Sequence, residues 1–428
     1  MRKLLLFPVV LGIAYWGYIN FFIEKELHAV PVERVAGEPS ADPVVEGVEA
    51  RLYLNSLRQK AGLPSFYGNE SLEKAAASHA SYLAKNRTDG HYQAPALPGF
   101  SGKTPADRAV KAGYPSRMVK ENLSSGNIDF KDSVDGLFSA IYHRFGFLDP
   151  VMDEIGIAYA EDAYGRRIYV YDMGNYGVAG LCSEEERFTK GRYVTGICAQ
   201  SDKKISSSRF EKVLDTNRKQ SKDIILWPYE GQDDVPPAFF EEIPDPLPGY
   251  SVSGYPISIV FNELHFKRVK VVSFRLYSEG SGEEVPVRLM DSANDPNLLL
   301  KKNQFAIFPL ERLDYDTNYT AVVNFTSGSK SFERKWHFRT RSFDVDILKV
   351  ASNSAEFKIE AGRSYVLYLQ PHGPNDLLKD VVHPRGTVVE RIDANTFMLK
   401  VAEDVRSPVV IKAGKRTVRL DLSDRSAQ

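Results

Sequence analysis

The spacing of apolar residues changes once along this chain, and that change limits what the chain can fold into. Up to about Phe145 apolar positions recur at helical spacing; from Ile155 onward they alternate. In the stretch 44–62, Val48, Leu52, Leu54 and Leu57 keep the helical period, and Gly62 with Pro64 ends it. A second helix is predicted over Ser71–Asn86, with Leu72, Ala76, His79 and Leu83 on one face. A third opens at Thr104-Pro105-Ala106-Asp107, where a hydroxyl caps, proline takes the first turn and an acid follows. A fourth runs from Asp132 to about Phe145. The strands Ile155–Ala160 and Arg167–Tyr171, turning at Tyr164-Gly165, then read as a hairpin. Helices followed by antiparallel strands predict a layered α+β domain.

A chain of 428 residues is too long for one ordinary core. Residues 44–200 are assigned to the α+β domain, and residues 201–250, with Ser206-Ser207-Ser208, Pro236-Pro237 and Pro244-Asp245-Pro246, to a linker. Short β-rich runs at Ile257–Phe261, Val271–Tyr277, Val285–Leu289, Gln304–Phe308, Tyr319–Phe325 and Lys335–Arg339 predict a sandwich over 251–341. A further β-rich module is predicted over 342–428. At the other end, Arg2 and Lys3 precede an apolar run from Leu4 to Ile23, the length a membrane-crossing helix needs. Residues 1–27 are read as a signal anchor, with a cleavable signal peptide as the alternative, and 28–43 as a stalk. Either reading exports the rest, so Cys182 and Cys198 pair in a local disulfide or stay as buried thiols. The formal net charge of −1 gives no reason to expect a nucleic-acid partner.

One ordered set of short motifs carries chemistry. Leu54-Asn55-Ser56-Leu57-Arg58, Gly62-Leu63, Ala76 with His79-Ala80, Gly90-His91, Asp107-Arg108, Gly113-Tyr114, Glu121-Asn122-Leu123, His143-Arg144 and Ile155-Gly156-Ile157 follow one another. In that order they resemble bacterial members of the CAP superfamily (cysteine-rich secretory proteins, antigen 5 and pathogenesis-related proteins, SCP-like). The resemblance implies an α/β/α sandwich with an open cleft lined by two histidines and two acids. By position His91 and His143 match the histidines and Glu121 one acid. The second acid has no counterpart, Asp132 and Asp135 being imperfect substitutes. The run Pro256–Asn262, Ser273–Leu276, Phe305–Leu313, Thr317–Tyr319 and Trp336–Thr340 resembles bacterial Ig-like envelope modules, which space or bind.

Two imidazoles can hold a divalent metal such as zinc and leave positions for water or ligand. Glu121 can orient an imidazole or serve as a base, and Arg144 can contact a polar ligand. The expected ligand set is therefore His91, Glu121, His143 and Arg144, with His91 and His143 on a metal. His79 lies on an apolar face and reads as a core histidine. The function expected is a membrane-anchored or secreted, non-enzymatic binding module on the periplasmic or extracellular face of a bacterial-type envelope. It would meet the membrane through residues 4–23, and a small molecule, peptide or envelope component through the cleft. The alternative is a metal-dependent hydrolase of peptides or wall material with Glu121 as base.

Overall fold

The computed structural model of the protein describes residues 42–423 apart from 186, 187 and 189. The expected membrane segment at 1–27 lies outside the described residues, as does nearly all of the expected stalk. Among the described residues no helix is long and apolar enough to cross a membrane.

The first unit has three layers. Helix α1 (Pro43–Ala61) starts where the Asp42 side chain accepts from Val44 N and stops at Gly62, whose φ of 89° suits glycine. Its buried face is Ala50, Leu54, Leu57 and Ala61; Val48 and Leu52, expected on that stripe, face solvent. Helices α2 (Glu70–Asn86) and α3 (Pro105–Lys111) follow, the latter opened by a complete capping box between Thr104 and Asp107. The expected fourth helix is two: α4 (Phe130–Ser139) and α5 (Ile141–Phe147), broken at Ala140, whose ψ of 118° is extended. A four-stranded sheet runs between the helices in the order β1 (Tyr67–Gly68), β3 (Glu154–Glu161), β4 (Arg167–Gly174), β2 (Lys120–Ser125), with β1 parallel to β3 and the rest antiparallel.

Alternation along β4 sends its two faces to different layers. Ile168 and Val170 pack on α2, whereas Tyr169, Tyr171 and Met173 join α1, α4 and α5. Gly156 shows why the strand motif needs glycine: a Cβ there would lie 2.0 Å from the Glu73 nitrogen, inside the α2 backbone. After β4 come α6 (Tyr176–Ser183) and α7 (Ser207–Gln220), with the Cys182–Cys198 disulfide between them.

Residues 201–250 are not the expected linker. Besides α7, they contribute Ile224–Trp227, which pairs antiparallel with Ile257–Phe261, and Gln232–Val235, which pairs parallel with Lys330–Thr340. The prolines that read as a spacer lie after these strands and outside any strand, where a missing amide hydrogen costs no ladder bond. The β-rich unit that results has a four-stranded sheet ordered 287–290, 304–309, 257–261, 224–227 and a five-stranded sheet ordered 284–285, 269–278, 318–327, 330–340, 232–235. Their facing aromatics meet, as where Phe261 lies 4.5 Å from Phe325. The last unit, from Ile347, has two more four-stranded sheets around its own core. It is fastened to the unit before it by Arg312, which donates to both Asp393 oxygens at 2.9 and 2.7 Å and lies over the Tyr368 ring.

The core of the first unit runs without interruption into the second. Phe138 of α4 stacks on Trp227 at 4.1 Å, and the Trp227 Nε1–H donates to Tyr255, whose hydroxyl donates to the Phe138 carbonyl. Truncation of a buried Trp costs about 3–5 kcal/mol. Trp227→Ala is therefore expected to lower urea stability by that amount and to speed amide exchange in α4. Exchange faster only within the β-rich unit would show that the two units are energetically separate.

Candidate functional site

His91 lies in the loop between α2 and α3 and is held at both ends of the residue. The Arg108 guanidinium donates to the His91 carbonyl at 3.1 Å, and His91 Nδ1 lies 2.9 Å from Glu121 Oε1. Arg108 also meets the other oxygen of Glu121 at 2.5 Å. One fully buried guanidinium thus fixes the backbone of the histidine and the acid that turns its ring. Glu121 is on β2, and its side chain is 1% exposed, against 39% for His91. The next residue serves the other histidine: Asn122 Nδ2 donates to the His143 carbonyl at 2.8 Å. Gly146 leaves room for it, since a Cβ there would lie 2.8 Å from Asn122 Oδ1. Glu121 and Asn122 point to opposite faces of the strand, so two adjacent residues set both histidines.

The rings of His91 and His143 face each other with centroids 6.3 Å apart and planes 28° from parallel. The expected pair is therefore assembled. The His143 side chain is 15% exposed, and its Nδ1 lies 2.7 Å from Glu242 Oε1. Glu242 comes from the segment expected to be a linker. It also accepts from the backbone nitrogens of Ile141 at 2.6 Å and Tyr142 at 3.1 Å, capping α5, which has no cap from its own N-cap residue. Sequence reasoning missed this residue. Asp132 and Asp135, the imperfect substitutes expected from the sequence, turn elsewhere: Asp132 to the Ile128 amide and Asp135 to Tyr53 and Lys131.

Each histidine thus presents Nδ1 to a carboxylate, and neither Nε2 has a hydrogen-bond partner among the described residues. With the proton on Nδ1, the Nε2 lone pair of the neutral ring is free to ligate or accept. Neither acid is free in the same way, because Glu121 is engaged by His91 and Arg108, and Glu242 by the His143 ring and the amides of Ile141, Tyr142 and His143. Arg144 does not line the cleft as expected. It is fully buried and donates to Phe138 O at 2.6 Å, Pro256 O at 2.7 Å and Ser258 Oγ at 3.1 Å, joining the first two units. Among the described residues no group of three or more His, Cys, Asp or Glu side chains is arranged to hold a metal ion. Two cavities, of about 780 Å³ by Asp376 and Arg416 and about 700 Å³ by Tyr176 and Lys212, are lined by neither histidine.

Behind Glu121 is a buried polar layer. Asp172 pairs with it across β2 and β4, and no described residue donates a hydrogen bond to either Asp172 oxygen. Burial and the adjacent Glu121 charge push the Asp172 carboxyl well above the usual carboxylate range. Burial opposes ionisation of Glu121 too, but the His91 hydrogen bond and Arg108 outweigh it and hold its carboxyl below the usual range. His79 sits alongside, fully buried, with Nε2 3.1 Å from Gly90 O and Nδ1 3.0 Å from Gln93 Nε2. The ring donates to the first and accepts from the second, as a neutral imidazole does, and burial lowers its pKa to about 4.

Residues 52–173 match the model of the family described as CAP: Cysteine-rich secretory protein family. No curated protein matches the chain. Solved structures similar to it include an outer surface protein from Borrelia burgdorferi, 26% identical over 30% of this chain and 90% of that one, with a TM-score of 0.27. Another is an extracellular protein containing an SCP domain from Bacillus anthracis str. Ames, 16% identical over 32% of this chain and 45% of that one, with a TM-score of 0.28. A third is SporoSAG from Toxoplasma gondii, 9% identical over 37% and 87%, with a TM-score of 0.22.

Because the folded-state pKa of His79 lies below that of the unfolded chain, acid protonates the unfolded state first. Its contribution is complete above about pH 6.5 and is lost as pH falls toward 4, amounting to about 3 kcal/mol. His79→Gln is expected to flatten the pH dependence of urea stability across that window; an unchanged slope would place the acid sensitivity elsewhere.

Proposed function

The chain carries a CAP domain over residues 52–173, and from that premise we propose that it is an extracytoplasmic binding module whose His91–His143 cleft holds a small ligand without turning it over. The observation that supports this most directly is that both acids beside the histidines are already committed. A general base must reach its proton and be free to take it. Glu121 is instead enclosed between His91 and a guanidinium at 2.5 Å, and Glu242 caps a helix. What remains without a partner among the described residues is Nε2 of each imidazole, which can bind. The β-rich units are read as Ig-like envelope modules, and the outer surface of a cell is the setting of the Borrelia protein it resembles.

A divalent metal is compatible with the pair. Two imidazoles sharing one tetrahedral ion through metal–nitrogen bonds of about 2 Å have centroids roughly 5 Å apart; here the spacing is 6.3 Å, so binding one ion between them would draw the rings about 1 Å together. His91 and His143 would be its protein ligands, Glu121 and Glu242 would orient them, and the ion would supply open positions for a ligand.

Calorimetric titration of the full chain with ZnCl2 tests the cleft. The wild type is expected to take up one ion per chain, and His91→Ala or His143→Ala to weaken uptake by at least about 100-fold, with no hydrolysis of casein or peptidoglycan by any of the three. Hydrolysis that disappears in both variants would make the protein an enzyme and overturn the proposal.

A further inference from the structure

We propose that the cleft is a composite of two units, and that Glu242, supplied by the β-rich unit, is the positioning residue for His143. The affinity part of this rests on the cleft reading above; the positioning part does not.

The geometry points to Glu242 in three ways. First, the break at Ala140 frees the amides of Ile141 and Tyr142, and no residue of the CAP domain accepts from them; Glu242 does, at 2.6 and 3.1 Å. Second, the same carboxylate meets His143 Nδ1 at 2.7 Å, so one buried side chain fixes both the start of the helix and the turn of the ring on it. Third, the segment that carries Glu242 is itself held. Asn297 Nδ2 donates to the Asp245 carbonyl at 2.7 Å and to the Tyr142 hydroxyl at 2.9 Å, and Tyr142 in turn hydrogen-bonds Asp295. Lys301 of the same β-rich unit pairs with buried Asp149 at 3.0 Å. The wall of the cleft beside His143 is therefore built by the second unit, and the CAP domain by itself has an acid for only one of its two histidines.

A carboxylate that accepts from an imidazole sets which ring nitrogen carries the proton, and loss of such a partner weakens metal binding by about 10–100-fold. A residue serving only as a helix cap would leave the tautomer unmoved. The full-length protein is compared with Glu242→Ala and Glu242→Gln by imidazole ¹⁵N NMR and by ZnCl2 titration, with Trp227 fluorescence reporting whether the junction persists. In the wild type His143 is expected to hold its proton on Nδ1. Glu242→Ala should give a mixture of tautomers and a 10–100-fold loss of zinc affinity, while His91 keeps its tautomer. Glu242→Gln should fall between, because a neutral acceptor binds the ring less strongly than a charged one. It decides the matter if Glu242→Ala disturbs Trp227. A wild type that binds no zinc but whose His143 tautomer responds to Glu242 would overturn the metal reading and uphold Glu242 as the positioning residue. Wild-type tautomer populations in both variants would overturn the composite cleft.

Discussion

Everything around the cleft depends on how the seven-residue helix α5 is wedged between two units. Its first amides are taken by Glu242, its third residue faces His91, and its fourth sends a guanidinium into the junction. Burying an Arg without a carboxylate partner costs several kcal/mol, and burial lowers the pKa of Arg144. The cost is offset because hydrogen bonds from a charged donor are each worth roughly 1.5–3 kcal/mol. Arg144 makes them to Phe138 O on the CAP side and to Pro256 O and Ser258 Oγ on the other. Neither unit alone supplies enough acceptors. The buried charge therefore favours the docked arrangement, and docking is what brings Glu242 to His143.

The parts of this site that could be read from the sequence are those whose partners lie within one unit. His91, Glu121 and His143 stand in short motifs whose order is informative, and their neighbours explain the motifs: Arg108 clamps His91 and Glu121, Asn122 clamps His143, and Gly156 lets α2 cross β3. Glu242 lies 99 residues beyond its histidine. A single acid between proline-rich stretches has no periodicity or spacing that could mark it as buried, and those prolines suggested a spacer. The same blind spot hid Arg144, since nothing local distinguishes an Arg that meets a ligand from one that meets another unit's carbonyls. Most strands of the two β-rich units were legible because alternation is local. In α1 the helix itself was legible but only half of its inner face was: Leu54 and Leu57 lie inside as expected, Val48 and Leu52 keep the period yet face outward, and the smaller Ala50 and Ala61 lie inside.

Charge balance in the polar layer explains how the His91 ring is held in one orientation. Two ionised carboxylates side by side in a buried layer would repel by several kcal/mol, and Arg108 can neutralise one. It pairs with Glu121, which leaves Asp172 as the member whose carboxyl is pushed up. His79 on the same layer stays neutral for the same reason, since a further cation beside Arg108 would have to be desolvated. What His91 meets is one carboxylate whose charge is already matched, giving a directed hydrogen bond without a large surplus field. A carboxyl acting as a base would be the opposite, raised toward neutrality and open to the substrate. The raised carboxyl of this layer, Asp172, is sealed behind Glu121, and the acid nearer the opening is the one held ionised. The order of the two acids, the raised carboxyl inside and the lowered one nearer the opening, fixes the geometry of the imidazole and leaves its far nitrogen without a protein partner among the described residues.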